Sequence, residues 1–230
     1  MAALNGKVIL VTGGLGDIGS AVVERCSADG ATAVAADLQG SVALDVRSPA
    51  SWAAAVEAVV GQHGGIDGLV NTAGILRDAM LPNLTDADWQ ETLAVNVTGT
   101  MLGCRAVAPH LAARGGGRIV NVSSVAHRGN IGQAAYSSSK GAVVSLTATL
   151  ALELGREGTL VNAVAPWFVE GRMTATVPER FRERALKKSP LGRFATPEDV
   201  AAVIGFLLGP DAAYVNGQTL AVCGGATVGF

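Results

Sequence analysis

The 230-residue chain is poor in the side chains that make covalent or metal frameworks: it has three cysteines and three histidines. Cys26, Cys104 and Cys223 lie far apart, with no CxxC pair and no Cys/His spacing of a zinc site. This excludes a disulfide framework, gives no metal centre and fits a reducing, cytoplasmic setting. Charge is also scarce, at 16% of residues with a net formal charge of -2. No basic footprint for nucleic acid follows from that balance. The densest basic run, RFRERALKK (Arg180 to Lys188), is interrupted by Glu183 and reads as a solvated helix face. Nor is there an apolar run of about 20 residues to span a bilayer. The start, with one Lys before VILV and then glycines, is not a signal peptide. Disorder is excluded in turn by a hydrophobic content of 49%.

What the chain has is alternation. Short apolar, β-branched runs stand at 7-12, 32-37, 42-44, 67-71, 118-123, 159-165 and 218-222. Most are apolar almost throughout, as strands covered on both faces should be. Helical patterns lie between them and carry start signals. Ser48-Pro49 offers an N-cap with Pro at the first helical position, and Trp52, Val56, Val59 and Val60 then share one face. Thr85 ahead of Asp86 and Asp88, and Thr196-Pro197-Glu198-Asp199, repeat the signal. Strands alternating with helices predict an α/β fold, a doubly wound parallel seven-stranded sheet of Rossmann type with helices on both faces. No low-complexity linker or repeat divides it, so one domain over 1-230 is expected.

The stretch TGGLGDIG, Thr12 to Gly19, joins the first strand to the first helix. Glycines there let the backbone approach a phosphate, and the helix start supplies unpaired N-H groups and the positive dipole end. Asp37 closes the second strand 18 residues after Gly19 (37 - 19 = 18). That is the place of an acid that binds the adenosine ribose hydroxyls. A carboxylate there repels a 2'-phosphate, and Leu15, Gly16 and Leu38 offer no cation to hold one. The expected cofactor is therefore NAD(H) in preference to NADP(H). Further along, Tyr136 and Lys140 are spaced i, i+4 on the helix AAYSSSKGAVVSL. A nearby ammonium favours a phenolate, so such a pair can pass a proton to or from a substrate oxygen.

Taken together, TGGLGDIG, Asp37, LDV (44-46), NTAG (71-74), AVNVTG around Asn96, NVSS (121-124), YSSSK (136-140), the Pro166 segment and NGQTLAVCGG (216-225) resemble the short-chain dehydrogenase/reductase family. The resemblance runs from about Gly6 to Gly225. It implies hydride transfer between nicotinamide C4 and a carbinol or carbonyl carbon of a small-molecule secondary alcohol or ketone. It makes Tyr136 the acid/base, with Lys140 lowering its pKa and holding the nicotinamide ribose, and Asn96 supporting a water-linked proton relay to Lys140. For the serine that binds the substrate oxygen, counting back from the tyrosine selects Ser123, whereas the strand ending selects Ser124. A one-residue loop deletion disturbs less than a strand slip, which favours Ser124. The resemblance also implies a cofactor set of Gly13, Leu15, Asp17, Ile18, Gly19, Asp37, Asp45, Val46, Asn71, Ala73, Gly74, Tyr136, Lys140, Pro166, Val169 and Thr174. Asp45 and Val46 would flank the adenine; Asn71, Ala73 and Gly74 would line the cleft. A mobile substrate lid is implied over 174-193, with Phe181 and Leu186 as its apolar face. Homo-oligomers, dimers or tetramers, are implied through helices spanning about 86-112 and 134-155.

The chain departs from the family pattern at four places. Asp17 replaces the middle glycine of TGxxxGxG, Trp167 follows Pro166 where glycine is usual, Gly171 stands where a Thr usually reaches the nicotinamide carboxamide, and Cys223 replaces an Asp. Gly16 is expected to supply the flexibility lost at Asp17, and the Asp17 carboxylate to turn back and cap the first helix. Trp167 reads equally as core aromatic or substrate-pocket wall. His127, Arg77 and Arg172 read as solvent-facing residues or, less simply, as substrate contacts. Two other functions fit the same motifs. One is a 3-oxoacyl-thioester reductase of fatty-acid or polyketide type, which Asp37 opposes because most such relatives take NADPH. The other is a non-catalytic dinucleotide sensor or scaffold, which the intact Asn, Ser, Tyr and Lys set opposes.

Overall fold

A computed structural model describes residues 3-175 and 177-228, and of Met173 the backbone alone. Met1, Ala2, Thr176, Gly229 and Phe230, part of the expected 1-230 domain or 174-193 lid, lie outside the described residues. Seven strands form one parallel sheet in the order β3-β2-β1-β4-β5-β6-β7. They are β1 (Val8–Thr12), β2 (Thr32–Asp37), β3 (Val42–Ala43), β4 (Gly68–Asn71), β5 (Arg118–Val122), β6 (Leu160–Pro166) and β7 (Thr219–Val222). The helices are α1 (Asp17–Ala28), α2 (Pro49–His63), α3 (Asp86–Leu93), α4 (Gly99–Ala113), α5 (Ala134–Leu154), α6 (Arg172–Ala175), α7 (Glu179–Lys188) and α8 (Pro197–Leu208). The doubly wound α/β fold read from the alternation is the fold observed.

Strand alternation builds two cores, one on each face of the sheet. Val8 and Leu10 of β1 point to one face with Leu69, Ile119, and Trp52, Val59, Val107 and Leu111 from α2 and α4. Ile9 and Val11 point to the other with Val70, Val120, and Val22, Cys26, Val200, Ile204 and Leu207 from α1 and α8. The central strands β1, β4, β5 and β6 are covered on both faces, which explains their continuous apolar sequence. The cap signals hold: the Ser48 hydroxyl accepts from the Ser51 N–H, Thr85 from that of Asp88, and Thr196 with Asp199 closes a full capping box. At the opposite end of the sheet, just ahead of the central strand β4, buried Asp67 ties several elements together. It accepts from the Val8 N–H at 2.9 Å, Arg114 Nε at 2.9 Å and Lys7 Nζ at 3.3 Å.

The strand order reverses between β1 and β4. In open parallel sheets a crevice forms there, beyond the carboxyl ends of the strands, and receives the ligand. The segments that leave β1, β2, β4, β5 and β6 therefore converge on one place, and they are the segments that carry the sequence motifs.

Candidate active site

The convergence leaves a cavity of about 940 Å³. The first wall is the turn after β1. Gly13 has φ 61°, and a Cβ on it would lie 2.9 Å from the Ala73 backbone. A Cβ on Gly19 would lie 2.0 Å from the Gly13 carbonyl, so no other residue fits there. Gly16, by contrast, has an ordinary extended backbone (φ -76°, ψ 168°) and uses no special freedom. The expectation that it compensates for Asp17 is corrected accordingly; Gly13 makes the left-handed turn.

Asp17 is corrected too. It opens α1, but α1 has no side-chain cap. The carboxylate leaves the helix and accepts from the Arg172 N–H at 2.6 Å and from Arg172 Nε at 2.9 Å. A charged guanidinium with a backbone N–H is a stronger pair of donors than the helix N–H groups it gives up. Arg172 is 73% exposed, as its solvent-facing reading had it, and is held there by Asp17.

At the other end of the turn, Asp37 lines the cavity with its carboxylate held by the N–H groups of Leu15 at 3.1 Å and Leu38 at 2.8 Å. Leu15 contributes its backbone here, and its side chain is exposed. Ile18, Asp45, Val46, Ala73, Gly74, Pro166, Val169 and Thr174 all line the same cavity. One cation the sequence reading passed over joins them. Arg47, two residues beyond Asp45, reaches the cavity but is bound to both Asp45 oxygens, at 2.9 and 2.8 Å, which holds the Asp45 carboxyl below its ordinary range.

Asn71 does not reach the cleft. It shares a strand face with Leu69, so its side chain points into the core, where Nδ2 donates to Asn121 Oδ1 at 2.9 Å. Strand alternation overrides the expectation that Asn71 lines the cofactor cleft. The backbone just beyond it, at Ala73 and Gly74, does that instead.

The reactive end is built on α5. Gln133, at the N-cap, Tyr136, three residues on, and Lys140, four beyond that, follow one face of the helix. Tyr136 is pushed up in pKa by burial first; the Ser124 hydroxyl hydrogen-bonded to it acts in the opposite direction, and the negative charge of Asp78 adds to the rise. Lys140 is 4% exposed, and burial lowers its pKa to about 8. Its Nζ donates to the Val122 carbonyl at 2.8 Å and sits 5.6 Å from the centre of the Tyr136 ring. The Lys140 amine is aimed at the strand end, and Lys140 is not among the groups that shift the Tyr136 pKa here.

The two serines separate cleanly. Ser123 is buried and its hydroxyl donates to the Lys140 carbonyl at 2.8 Å, tying β5 to α5. Ser124 is half-buried beside the Tyr136 phenol, and its hydroxyl accepts from the Ala126 N–H at 3.2 Å. Asn96 lies on a single π-turn, Ala94–Thr98, between α3 and α4, the kind of bulge that often marks a functional position. Its side chain accepts from the Ile75 N–H at 2.8 Å and donates to Ser139 Oγ at 3.0 Å. Gly74 separates it from Lys140: a Cβ there would lie 3.3 Å from Asn96 Oδ1 and 3.4 Å from Lys140 Nζ.

Beyond Ser124 the cavity is walled by Trp167, Arg77, Asp78 and Glu91. Trp167 is half-buried and lines this cavity, so its reading as a fully buried core aromatic does not hold. Arg77 is paired with Glu91 at 3.1 Å. Asp78 accepts from Gln133 Nε2 at 3.2 Å. His127 is half-buried, with its ring on the Ser124 carbonyl at 2.7 Å, away from the cavity wall. Thr174 spends its hydroxyl on the Val169 carbonyl at 2.7 Å.

The family profile described as "Enoyl-(Acyl carrier protein) reductase" matches residues 13–227. The chain is 41% identical to the 3-oxoacyl-[acyl-carrier-protein] reductase FabG of Thermotoga maritima, with 98% of this chain and 99% of that protein covered. The chain belongs to the short-chain dehydrogenase/reductase family. Other members it resembles are the (3R)-3-hydroxyacyl-CoA dehydrogenase of Rattus norvegicus (38% identity, 96% of each chain) and the D-threitol dehydrogenase of Mycolicibacterium smegmatis (40% identity, 98% of this chain and 94% of that protein). Among solved structures, gox2181 superposes with a TM-score of 0.95 at 30% identity, covering 99% of this chain and 98% of that one. As a short-chain dehydrogenase/reductase, the protein is an oxidoreductase of CH–OH and ketone groups that binds a nicotinamide dinucleotide. The Gly13 and Gly19 cradle, the open first turn of α1 and the Asp37 carboxylate fit such a dinucleotide. Among the described residues, no helix is long and apolar enough to cross a membrane.

Proposed function

We propose that this short-chain dehydrogenase/reductase is an NAD(H)-dependent alcohol dehydrogenase or ketoreductase acting on a small or medium secondary alcohol or ketone. The observation that carries it is the meeting of the Ser124 hydroxyl and the Tyr136 phenol at the end of a cleft whose other end carries Asp37. The cradle would be formed by Gly13, Ile18 and Gly19, with Asp37 on the ribose, Asp45 and Val46 beside the base, and Pro166, Val169 and Thr174 under the nicotinamide. The dinucleotide supplies or accepts the hydride. Tyr136 Oη gives a proton to the substrate oxygen in reduction and takes it in oxidation, while Ser124 Oγ holds that oxygen by a hydrogen bond. Burial keeps the phenol protonated, which suits it to the donor role. Lys140 and Asn96, on either side of Gly74, would pass the proton onward. The segment 174-193, with α6 and α7, would close over the substrate.

The preference for NAD(H) rests on charge. The arginines that line the cavity are already paired, Arg47 with Asp45, Arg77 with Glu91 and Arg172 with Asp17. Among the described residues no cation pairs with Asp37, so a 2'-phosphate would meet a carboxylate alone. By the family resemblance we also assign a homo-oligomer, dimer or tetramer, through the α4 and α5 surfaces, where Leu152 is 83% exposed, and a cytoplasmic location.

A second reading, reduction of a 3-oxoacyl thioester on a carrier protein, is favoured by the relatives that carry that name and by the basic face of α7, with Arg184 and Lys187. One experiment separates the readings. Simple ketones, secondary alcohols and 3-oxoacyl thioesters are assayed with NADH or NAD and with NADPH or NADP, for wild type and Tyr136→Phe. The proposal expects turnover of a simple ketone, at least tenfold better with NADH, and its loss in Tyr136→Phe. Turnover of the thioester alone, or a tenfold preference for NADPH, overturns it. Dinucleotide binding without turnover of any of them would mark a sensor.

A further inference from the structure

Two of the departures from the family pattern, Asp17 and Gly171, meet in space. Asp17 Oδ2 accepts from the Arg172 N–H at 2.6 Å and Oδ1 from Arg172 Nε at 2.9 Å. Arg172 Nη2 continues to the Leu15 carbonyl at 2.8 Å. A Cβ on Gly171 would stand 2.4 Å from Asp17 Oδ2, so the carboxylate fills the space that a side chain at 171 would take. The backbone of Gly171, at φ 154°, also favours glycine. The acid at 17 and the glycine at 171 are therefore one unit: each makes room for, or use of, the other.

The contact joins residues 155 apart in sequence. One is the turn after β1 that forms the phosphate cradle; the other is the segment after β6 that leads into α6. Both line the cavity, one from each side. The far side is itself stiffened, since the Thr174 and Ala175 N–H groups donate to the Gly171 carbonyl at 3.1 and 2.9 Å. The Leu15 peptide is gripped on both its ends, its N–H by Asp37 and its carbonyl by Arg172.

We propose that Asp17 and Arg172, with Gly171 between them, form a clasp across the cleft that retains the bound dinucleotide and sets its rate of release. The proposal rests on the reading of the cleft as a dinucleotide site. A lone carboxylate beside a diphosphate would repel it, whereas Asp17 is paired with a guanidinium and the clasp carries no net charge. Its strength suits a closure that must open each cycle. Arg172 is 73% exposed and Asp17 31%, so water and salt weaken the ion pair, while the contacts of the Arg172 N–H and of Arg172 Nη2 add to it. Asp17 and Arg172 act as positioning residues and take no part in proton or hydride transfer.

The test is a double-mutant cycle on the release of NADH, measured by stopped-flow fluorescence with excess NAD as the chase. Asp17→Ala and Arg172→Met should each speed release by roughly threefold to tenfold. The double variant should be no faster than the faster single, because each removes the same clasp. Salt should speed release from the wild type more than from the variants. In the protein without nucleotide, Asp17→Ala should raise amide hydrogen exchange at residue 172, whose N–H loses its carboxylate; thermal melting verifies that each variant is folded. Unchanged release in folded variants that bind NADH overturns the clasp. So does an effect of Arg172→Met alone, which would make Arg172 a simple counter-charge, or effects that multiply in the double variant. A wild-type protein that binds no NADH overturns the dinucleotide reading instead, and the exchange measurement still reports whether the contact exists.

Discussion

Replacing Lys140 with Met gives a stability effect whose size and sign follow from the site. The Lys140 amine is 4% exposed, and burial lowers its pKa from 10.5 to about 8. The folded state therefore sheds this proton earlier than the unfolded state. Below about pH 8 both states hold it, and the buried charge costs the fold the difference between 10.5 and about 8. At 1.36 kcal/mol per pH unit that is about 3 kcal/mol. Between about 8 and 10.5 the unfolded chain binds more protons, so this contribution makes stability rise with pH. Met keeps the length and loses the charge. It also leaves the Val122 carbonyl without its 2.8 Å donor, at a cost of about 1–3 kcal/mol that does not change with pH. The expected result is that wild type gains about 2–3 kcal/mol relative to Lys140→Met between about pH 7.5 and about pH 10. Other groups that titrate in that range, such as the thiols and tyrosines, cancel in the difference. Urea unfolding of both proteins at a series of pH values measures it. A difference that stays flat, or falls with pH, would refute the assignment of a lowered pKa to a buried Lys140.

The two serines should part in the same way. Ser124→Ala should reduce kcat/KM by a factor of about 100 or more with little change in melting, as for loss of a hydrogen bond to the reacting oxygen. Ser123→Ala should keep most activity and lose about 1 kcal/mol of stability, since its bond holds Lys140's carbonyl. Among the thiols, Cys26 and Cys104 are pushed up to about 12 by burial, whereas at Cys223 burial is outweighed by hydrogen bonds from Thr227 and the Gly225 and Ala226 backbone, which lower it. A disulfide reagent should therefore label Cys223 alone in the native protein and the other two only after denaturation. Asp37→Asn should narrow the NADH-over-NADPH ratio at least fivefold, about 1 kcal/mol, mainly by improving NADPH.

The parts of this protein that were legible in the sequence are those set by local pattern. Strands covered on both faces must be apolar throughout, so KVILVT and RIVNVS announce themselves. Ser48, Thr85 and Thr196 mark their helices because an N-cap is a bond made within four residues. Gly13 and Gly19 were legible because the crowding that requires them lies within the same turn or at the neighbouring strand end. What was not legible depends on direction or on distance along the chain. Whether Asn71 faces the cleft or the core is decided by its register with Asn121. The partner of Asp17 lies beyond β6, and the acceptor of Lys140 is a strand carbonyl, so local reasoning put the first on its own helix and the second on the tyrosine. Asp78 and Arg47 carried no motif at all. Only the fold brings them to the cavity, although Arg47's place two residues after Asp45 was a signal that a closer search for cations could have used.

In the proposed reaction, hydride passes between the nicotinamide and a carbon whose oxygen is held by Ser124 and Tyr136. Mass spectrometry of the alcohol formed from a ketone substrate with NADH dideuterated at nicotinamide C4 tests this directly. The account predicts one deuterium, on the carbinol carbon, with wild-type protein and no labelled product with Tyr136→Phe. Alcohol formed without deuterium, or labelled equally by the Tyr136→Phe variant, would contradict it.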